Sequence, residues 1–328
     1  MEKGKVPENV LKRSVMKQIT KRRSEVLVGS GVGEDCAALQ LAADEVMVLS
    51  TDPITGTAQD IGQLAIQITV NDLASSGAEP VGVMLTILLP VGSREIVLKK
   101  IMSQVSAACA ASNVQVIGGH TEVTDVVTQP LISVTGVGKV KRGRLITTSG
   151  ALPGMDVVVS KWIGLEGTSI LAKEREDVLL TKLPKTIVER AKSFDEMISV
   201  LKEGIVGGRL QVAAMHDVTE GGIFGALWEI GAASNVGLEI DLKAIPIKQE
   251  TVEICEFFDI NPYQLISSGS MLMIAADGKE LVEALAKEDV CATVIGKVIA
   301  GNDRVIVRDD ERRFLEPPKT DELYKVLS

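Results

Sequence analysis

Apolar residues follow two alternating spacings along the first half of the chain. Continuous apolar runs are typical of buried strands, and apolar residues recurring every three or four positions are typical of helices that bury one face. The first spacing predicts strands at residues 46–49, 81–89, 114–117 and 131–137. The second predicts helices over residues 9–20, from Ile61 to the stop signal at Gly77 and Pro80, and from a cap at Ser93 to Ser112.

The second half of the chain also alternates apolar runs with helical spacing, so the whole sequence predicts a two-domain α/β (α+β) fold. Turn-forming residues cluster at 145–154, which places a boundary between domains of residues 1–150 and 151–328. Strands are predicted at residues 156–160, 238–240, 271–275 and 292–298, with a helix at 223–234.

The composition of the chain excludes several classes of partner. Lys and Arg number 35 against 44 Asp and Glu, and the resulting charge of -9 argues against nucleic acid. No apolar run approaches the roughly 18 residues of a membrane span, so we expect no membrane association. The four cysteines lie far apart, which favours a reducing, cytoplasmic location.

Three aspartates stand beside glycines or at the ends of apolar runs. Asp35 follows a glycine-containing segment, Asp52 follows a predicted strand, and Asp72 lies in a helix four residues after Ile68. No Lys or Arg lies within a helical turn of Asp72. Converging carboxylates without nearby bases favour a Mg²⁺ site with phosphates, although a single aspartate after a strand is more often a cap or turn residue.

Two glycine pairs are candidate phosphate-binding turns. Gly118 and Gly119 follow a predicted strand, and their backbone N–H groups can approach a phosphate closely. Gly221 and Gly222 precede the predicted helix at 223–234, whose N-terminus is a natural anion site unless Thr219 or Glu220 caps it. The two histidines, His120 and His216, are too few for a zinc site, and neither a P-loop nor a GxGxxG fingerprint is present.

Five motifs in order resemble those of the aminoimidazole ribonucleotide (AIR) synthase-related superfamily of ATP-using enzymes. They lie at residues 33–37, 50–52, 70–74, 118–121 and 216–222. The superfamily includes AIR synthase, selenophosphate synthetase, thiamine-monophosphate kinase and the hydrogenase maturation protein HypE. The stretches 217–241 and 252–256 are most similar to the HypE branch.

The resemblance implies a homodimer in which the N-terminal sheets form a β-barrel-like interface, and a larger C-terminal α/β sandwich. It implies ATP and Mg²⁺ as cofactors, and attack of a substrate oxygen on the γ-phosphate. The positions that match metal ligands are Asp35, Asp52 and Asp72, with Glu122 as a further ligand. The positions that match nucleotide contacts are Gly33, Asp35, Thr51, Asp52, Asn71, Gly118, Gly119, Thr121 and Thr219. Asp217 matches an acidic position facing the reacting phosphate, and we assign it and Asp72 as catalytic residues.

The sequence departs from the HypE pattern in three places. HypE ends in a cysteine that carries the carbamoyl group, whereas this sequence ends in Ser328 after a last cysteine at Cys291, so we expect no dehydration on its own tail. His120 stands where relatives place Asp or Glu, so either Glu122 substitutes as a ligand or one metal site is weaker. Glu220 replaces an expected Arg, which predicts different substrate contacts.

The leading hypothesis is therefore a cytoplasmic, Mg²⁺- and ATP-dependent enzyme that activates a small substrate by phosphoryl transfer. One alternative is a nucleotide-binding maturation scaffold that docks a partner protein and turns over little. Another is a small-molecule kinase of the thiamine-monophosphate kinase type.

Overall fold

The computed structural model describes residues 4–30, 36–54, 60–317 and 320–327. The chain divides into two compact units. The N-terminal unit comprises residues 1–74 and 78–143, and the C-terminal unit comprises residues 75–77 and 144–328. The predicted boundary at residue 150 lies a few residues further along the chain.

The N-terminal unit is built on a five-stranded mixed sheet with the strand order β1-β6-β5-β7-β4, beside a two-stranded pair of β2 and β3. The strands are β1 (Gly4–Lys5), β2 (Val26–Val28), β3 (Ala38–Leu39), β4 (Glu45–Ile54), β5 (Glu79–Pro90), β6 (Gln115–Thr124) and β7 (Leu131–Lys141). The helices are α1 (Glu8–Ser14), α2 (Ile61–Ser75) and α3 (Glu95–Ala111), with a 3₁₀ turn at Met16–Gln18.

The predicted helices occur, with two local corrections. The first helix breaks at Val15 into α1 and the 3₁₀ turn. The third begins after Arg94, and no side chain caps it, so the predicted cap at Ser93 is wrong. Its buried stripe contains Leu98, whereas Val97 is exposed.

The two faces of the N-terminal sheet differ in cover. Val83, Leu85 and Ile87 of β5 are buried beneath the helices, and the alternate residues Met84 and Thr86 are exposed. Helix α2 approaches β7 closely, because Gly136 has no side chain and a Cβ there would collide with Thr69. The opposite face also exposes Met47 and Leu49 of β4, at 49% and 61%. The sheet is therefore open on one side and is not closed into a barrel.

The C-terminal unit is built on a seven-stranded mixed sheet with the order β14-β13-β10-β12-β8-β11-β9. Its strands are β8 (Asp156–Ser160), β9 (Ala214–Val218), β10 (Gly237–Asp241), β11 (Ser270–Ala275), β12 (Ala292–Ile299), β13 (Arg304–Arg308) and β14 (Glu311–Phe314). Its helices are α4 (Leu165–Glu174), α5 (Glu176–Leu179), α6 (Lys185–Lys192), α7 (Leu201–Leu210), α8 (Gly222–Ser234), α9 (Gln249–Phe258), α10 (Gly278–Ala286) and α11 (Tyr324–Leu327). Shorter 3₁₀ turns lie at Ser193–Met197, Leu242–Ala244 and Pro262–Gln264.

Helices cover both faces of this second sheet. Along β11, Leu272 packs into a core with residues of α8, and Met271 and Met273 pack into a separate core with residues of α7 and α10. This alternation is what a strand buried on both faces requires, because successive side chains point to opposite sides. Helices α4, α6 and α9 form a third core at one end. Among the described residues, no helix combines the length and apolarity needed to cross a bilayer.

A network of charged residues joins the segment before β2 to the N-terminal sheet. The Arg23 guanidinium lies 2.8 Å from Glu25 and 2.6 Å from Glu79, and Lys139 lies 2.7 Å from Glu25. The side chains of Arg23 and Glu25 are 7% and 11% exposed. The hydrogen bonds from Arg23 and Lys139 outweigh burial and hold the pKa of Glu25 well below its usual range. The chain thus uses ion pairs to hold a segment that contributes few apolar side chains.

We expect Glu25→Gln to lower the free energy of unfolding by about 2 kcal/mol at pH 7, because it removes the more buried of the two carboxylates that Arg23 and Lys139 share. Since the folded-state pKa is depressed, this stabilisation is present above the unfolded value near 4.5 and is lost as the pH falls. The difference in unfolding free energy between Glu25→Gln and the parent protein should therefore shrink below pH 4.5. Urea unfolding monitored by circular dichroism at pH 7 and pH 3.5 measures it.

The control for this substitution is Asp44→Asn, which removes an exposed pair with Lys141 and should leave the unfolding midpoint unchanged. Equal effects of the two substitutions would contradict a structural role for the network.

Candidate functional site

Asp72 lies on α2 and is linked to β4 by a hydrogen bond. Its Oδ2 atom accepts from the hydroxyl of Ser50, which lies on β4. The preceding residue, Asn71, is fully buried. Asp72 itself is partly buried, so it lies at the border of the buried stripe of α2 and not at its centre. A carboxylate in this position is held by the protein while part of it stays accessible.

Asp52 lies inside β4, whereas the sequence predicted it just beyond the strand. The strand is longer than its apolar run because it pairs with β7 along its whole length, as far as Ile54 opposite Ile132. Asp52 follows Ser50 by two residues, so both side chains point to the same face of β4. That face is the helix-covered one, since Val134 of β7, which pairs with Asp52, is buried.

Thr51 points to the open face of the sheet. Its hydroxyl lies 3.1 Å from that of Thr135 on β7. Thr51 and Asp52 were both predicted to contact one nucleotide, yet their side chains leave opposite faces of the same strand.

Gly118 and Gly119 lie within β6 and do not form a turn, which corrects the expectation of a glycine turn at a strand end. Gly119 has a φ of 144° and pairs with Leu85 of β5, where a Cβ would collide with the Leu85 carbonyl oxygen. A Cβ at Gly118 would meet only the Met84 side chain, 3.5 Å away. Gly119 is therefore needed for the close pairing of β5 with β6, and Gly118 is not.

Thr121 and Glu122 lie further along β6, on opposite faces. Thr121 is buried and pairs with buried Ile87, which places it on the helix-covered face. Glu122 is partly exposed on the open face, and its Oε2 lies 3.1 Å from Nε2 of His120.

The predicted metal ligands are not all brought together within one chain. Asp52 and the hydroxyl of Ser50 that binds Asp72 lie on the helix-covered face, whereas Glu122 lies on the open face. Strand β6 is also separated from β4 by β5 and β7. No group of three or more potential ligands forms a metal site among the described residues. The predicted residues Gly33 and Asp35 lie outside the described part of the chain.

A cavity of about 690 Å³ lies in the N-terminal unit beside the glycine pair. Its walls include Gly118, Gly119 and Thr121 of β6, with apolar side chains such as Leu11 of α1. Ligand pockets in proteins are typically about 300–1,000 Å³ and mostly apolar with a few polar groups. The cavity is therefore large enough for a nucleotide-sized ligand.

In the C-terminal unit, Asp217 is 5% exposed and lies on the edge strand β9. The neighbouring His216 makes a 2.7 Å contact through Nε2 with Glu229 of α8, and its Nδ1 lies 4.0 Å from Asp217. Burial lowers the pKa of His216, but the hydrogen bond to Glu229 and the charges of both acids outweigh it and raise the pKa overall. This histidine therefore favours the ionised form of Asp217.

The N-terminus of α8 is occupied by a side chain of the protein. Gly221 and Gly222 both have positive φ values. The N–H of Gly221 donates to Oδ2 of Asp321 at 2.7 Å, and that of Gly222 donates to the backbone oxygen of Thr219. The donor at Gly221 that we expected to bind an anion, or to be capped by Thr219 or Glu220, is thus taken by Asp321.

Sequence reasoning missed two buried acids near Asp217. Glu166 lies in the first turn of α4 and Asp321 lies just before α11, and both are at most 5% exposed. Glu166 interacts through charge with both Asp321 and Asp217. The signal available was Glu166 flanked by glycines, Gly164 and Gly167, in an otherwise apolar segment.

Comparison with known families places this chain in the AIR synthase related protein family. The model of the AIR synthase related N-terminal domain matches residues 33–140, and that of the C-terminal domain matches residues 153–308. The chain belongs to this family, which confirms the resemblance in its five motifs.

Three relatives span most of the chain. A protein of Methanocaldococcus jannaschii named for hydrogenase expression and formation is 30% identical over 98% of this chain and 97% of its own length. The carbamoyl dehydratase HypE of Cupriavidus necator is 30% identical over 87% of this chain and 79% of its own length. The thiamine-monophosphate kinase of Pyrococcus abyssi is 28% identical over 84% and 83%.

Solved structures share the fold. Escherichia coli HypE, a hydrogenase maturation protein, has a TM-score of 0.81 at 21% identity, covering 97% of this chain and 99% of that one. HypE in complex with ATP has a TM-score of 0.76 at 21% identity, covering 96% and 95%. HypE in a HypE–HypF complex has a TM-score of 0.68 at 25% identity, covering 83% and 90%. The predicted two-domain fold is confirmed.

The glycine pair of β6 provides a matched test. We expect Gly119→Ala to lower the free energy of unfolding by about 2 kcal/mol or more, because the new Cβ meets backbone and the φ of 144° is unfavourable for alanine. Gly118→Ala should change it by less than about 1 kcal/mol, since its Cβ contacts only a flexible methionine. Thermal unfolding of both variants measures these changes. Equal losses of unfolding free energy would contradict the assigned role of Gly119.

Proposed function

We propose that this protein is a Mg²⁺-dependent, ATP-using enzyme that activates a substrate oxygen by phosphoryl transfer. The observation that carries the proposal is the cavity beside Gly118, Gly119 and Thr121, since these residues match the nucleotide-contacting positions of the family. A HypE structure of the same fold contains ATP, which supports the same ligand.

Asp52 and Asp72 are the residues we assign to the metal in the N-terminal unit. Both offer carboxylate oxygens, the ligands Mg²⁺ prefers, and the Ser50 hydroxyl orients Asp72. Asp35 is proposed as a third ligand and Glu122 as a fourth. The metal would neutralise phosphate charge that the acidic chain otherwise repels. Gly33, Thr51, Asn71 and Thr219 remain proposed nucleotide contacts.

Asp217 is the residue we assign to the reacting group. Its carboxylate, beside His216, can accept a proton from the substrate oxygen as that oxygen attacks. Asp72 would act in the same reaction by holding the metal.

A homodimer formed through the open face of the N-terminal sheet is part of the proposal. Met47, Leu49 and Met84 expose apolar surface on this face, which favours a protein contact. Glu122 lies on the open face and Asp52 on the helix-covered face, so dimerisation through the open face places Glu122, and not Asp52, at the interface. We also propose a cytoplasmic location, which the four free thiols support.

Hydrogenase maturation is the biological setting we propose, because named relatives belong to it. A maturation scaffold with little turnover is the alternative supported by the HypE–HypF complex, in which the relative binds a protein partner. Sustained phosphate release in the presence of a small substrate excludes the scaffold. The kinase alternative is supported by the Pyrococcus abyssi relative, and a phosphorylated metabolite among the products favours it.

Isothermal titration tests the nucleotide and metal assignment. We expect ATP to bind only when Mg²⁺ is present, and Asp72→Asn to weaken that binding at least tenfold, about 1.4 kcal/mol, because it removes a metal-binding charge. Asp44→Asn, on the exposed turn before β4, is the control and should bind ATP normally. Unchanged binding by Asp72→Asn would refute the assignment.

Light scattering tests the dimer. The parent protein should have twice the mass of one chain, and Leu49→Glu should convert it to monomers because the new charge faces its copy across a symmetric contact. Ile96→Glu is the control, since Ile96 is 57% exposed on α3 and lies away from the open face. A monomeric parent protein would overturn the proposed interface.

A further inference from the structure

Glu166 is a buried acid with an oxygen that no group in the described structure binds. It is 5% exposed in the first turn of α4, and its Oε2 atom accepts no hydrogen bond among the described residues. Ser268, 1% exposed, lies beside it. An ionised carboxylate with an unsatisfied oxygen is costly in such a place, whereas a protonated one needs fewer partners.

The groups facing Glu166 are mostly acidic. Asp217 of β9 and Asp321 of the C-terminal segment interact with it through charge, and Tyr324 of α11 is also close. Glu220 of the loop before α8 interacts with Asp321 and Tyr324. The base His216 lies 4.0 Å from Asp217 and also contacts Glu229. Three adjacent carboxylates cannot all be ionised at low cost.

The contacts of each acid indicate which one holds the proton. Burial raises the pKa of Asp321, but both of its oxygens accept hydrogen bonds, from the N–H groups of Gly221, Ile266 and Leu323, and these favour its ionised form. Asp217 has the neighbouring His216. Within the described ranges, Glu166 forms no ion pair with a base and its Oε2 accepts no hydrogen bond, and burial, opposed in part by Ser268, raises its pKa to about 7.

We propose that Glu166 carries a proton at neutral pH and is the positioning residue that allows the adjacent Asp217 to stay ionised. The charge assignment stands on the buried cluster alone. The consequence for catalysis rests on the proposed function, in which Asp217 accepts a proton from the substrate. Ionisation of Glu166 at higher pH adds a second negative charge beside Asp217 and opposes the approach of phosphate.

Thermal unfolding between pH 5 and pH 8 tests the charge assignment without ATP. A carboxyl group that keeps its proton in the folded state to higher pH than in the unfolded state makes stability fall as the pH rises through that window. Glu166→Gln is isosteric and permanently neutral. The melting temperature of this variant minus that of the parent protein should therefore increase from pH 5 to pH 8.

The control is Glu322→Gln, which removes another acid of the C-terminal segment that is buried but paired with Lys325 at 2.7 Å. The melting temperature of Glu322→Gln minus that of the parent protein should be negative and constant from pH 5 to pH 8. A constant difference for Glu166→Gln as well would overturn the proposal. Infrared spectroscopy of the parent protein is an independent check, since a protonated-carboxyl band present at pH 6 must fade by pH 8; its absence at pH 6 also overturns the proposal.

ATP turnover across the same pH range tests the role of Glu166 as a positioning residue. The parent protein should lose activity above pH 7, Glu166→Gln should retain it, and Asp217→Asn should be inactive throughout. Parallel pH profiles for the parent and Glu166→Gln would overturn this role. If the parent protein turns over no ATP while the melting difference behaves as expected, the proposed function fails and the charge assignment stands.

Discussion

The cost of burying a carboxylate governs how this chain arranges its acidic side chains. Glu25 is stabilised by Arg23 and Lys139, and Glu203, 1% exposed, lies 2.9 Å from Lys161. Asp321 is held instead by three backbone N–H groups, one of them at the start of α8. Each of these acids joins segments that are distant in sequence. These buried acids therefore mainly hold distant segments of the chain together. A functional acid has to be recognised by an oxygen that its protein contacts leave accessible or without a hydrogen bond.

That criterion separates the candidate site residues from the structural ones. Asp72 has a hydroxyl partner in Ser50 and a partly accessible position, which leaves room for a ligand. Glu166 has an oxygen without a hydrogen bond in the described part of the chain, and its burial makes a proton the simplest occupant. The cost of burying a carboxylate therefore favours a bound cation at Asp72 in the N-terminal unit and a bound proton at Glu166 in the C-terminal unit. Accessibility decides between them.

The central strands of both sheets and four of the helices, α1, α2, α3 and α8, followed from apolar spacing, and several of the errors have physical causes. Helix α2 and strand β5 agree with the predicted elements, because a long and consistent apolar pattern is the strongest signal of secondary structure in a sequence. The length of β4 was underestimated because pairing with β7 imposes strand geometry on polar residues up to Ile54. Gly119 resembled a turn residue, but it is required inside β6 by the closeness of Leu85. Strand β14 was not predicted, since all four of its residues are exposed and show no alternation.

The candidate site was predictable in residue type and less so in geometry. The acids and glycines could be identified by their neighbours in sequence, whereas the face of the sheet that each side chain occupies depends on strand length and register. Asp52 and Glu122 illustrate this, because one extra residue in either strand would exchange their faces. The contact between Asp321 and Gly221 spans 100 residues and left no local pattern. A chain with a charge of -9 can bind a triphosphate only if cations or protons offset its acidic charges. Charge neutralisation is therefore the property on which both the metal assignment and the protonated Glu166 depend.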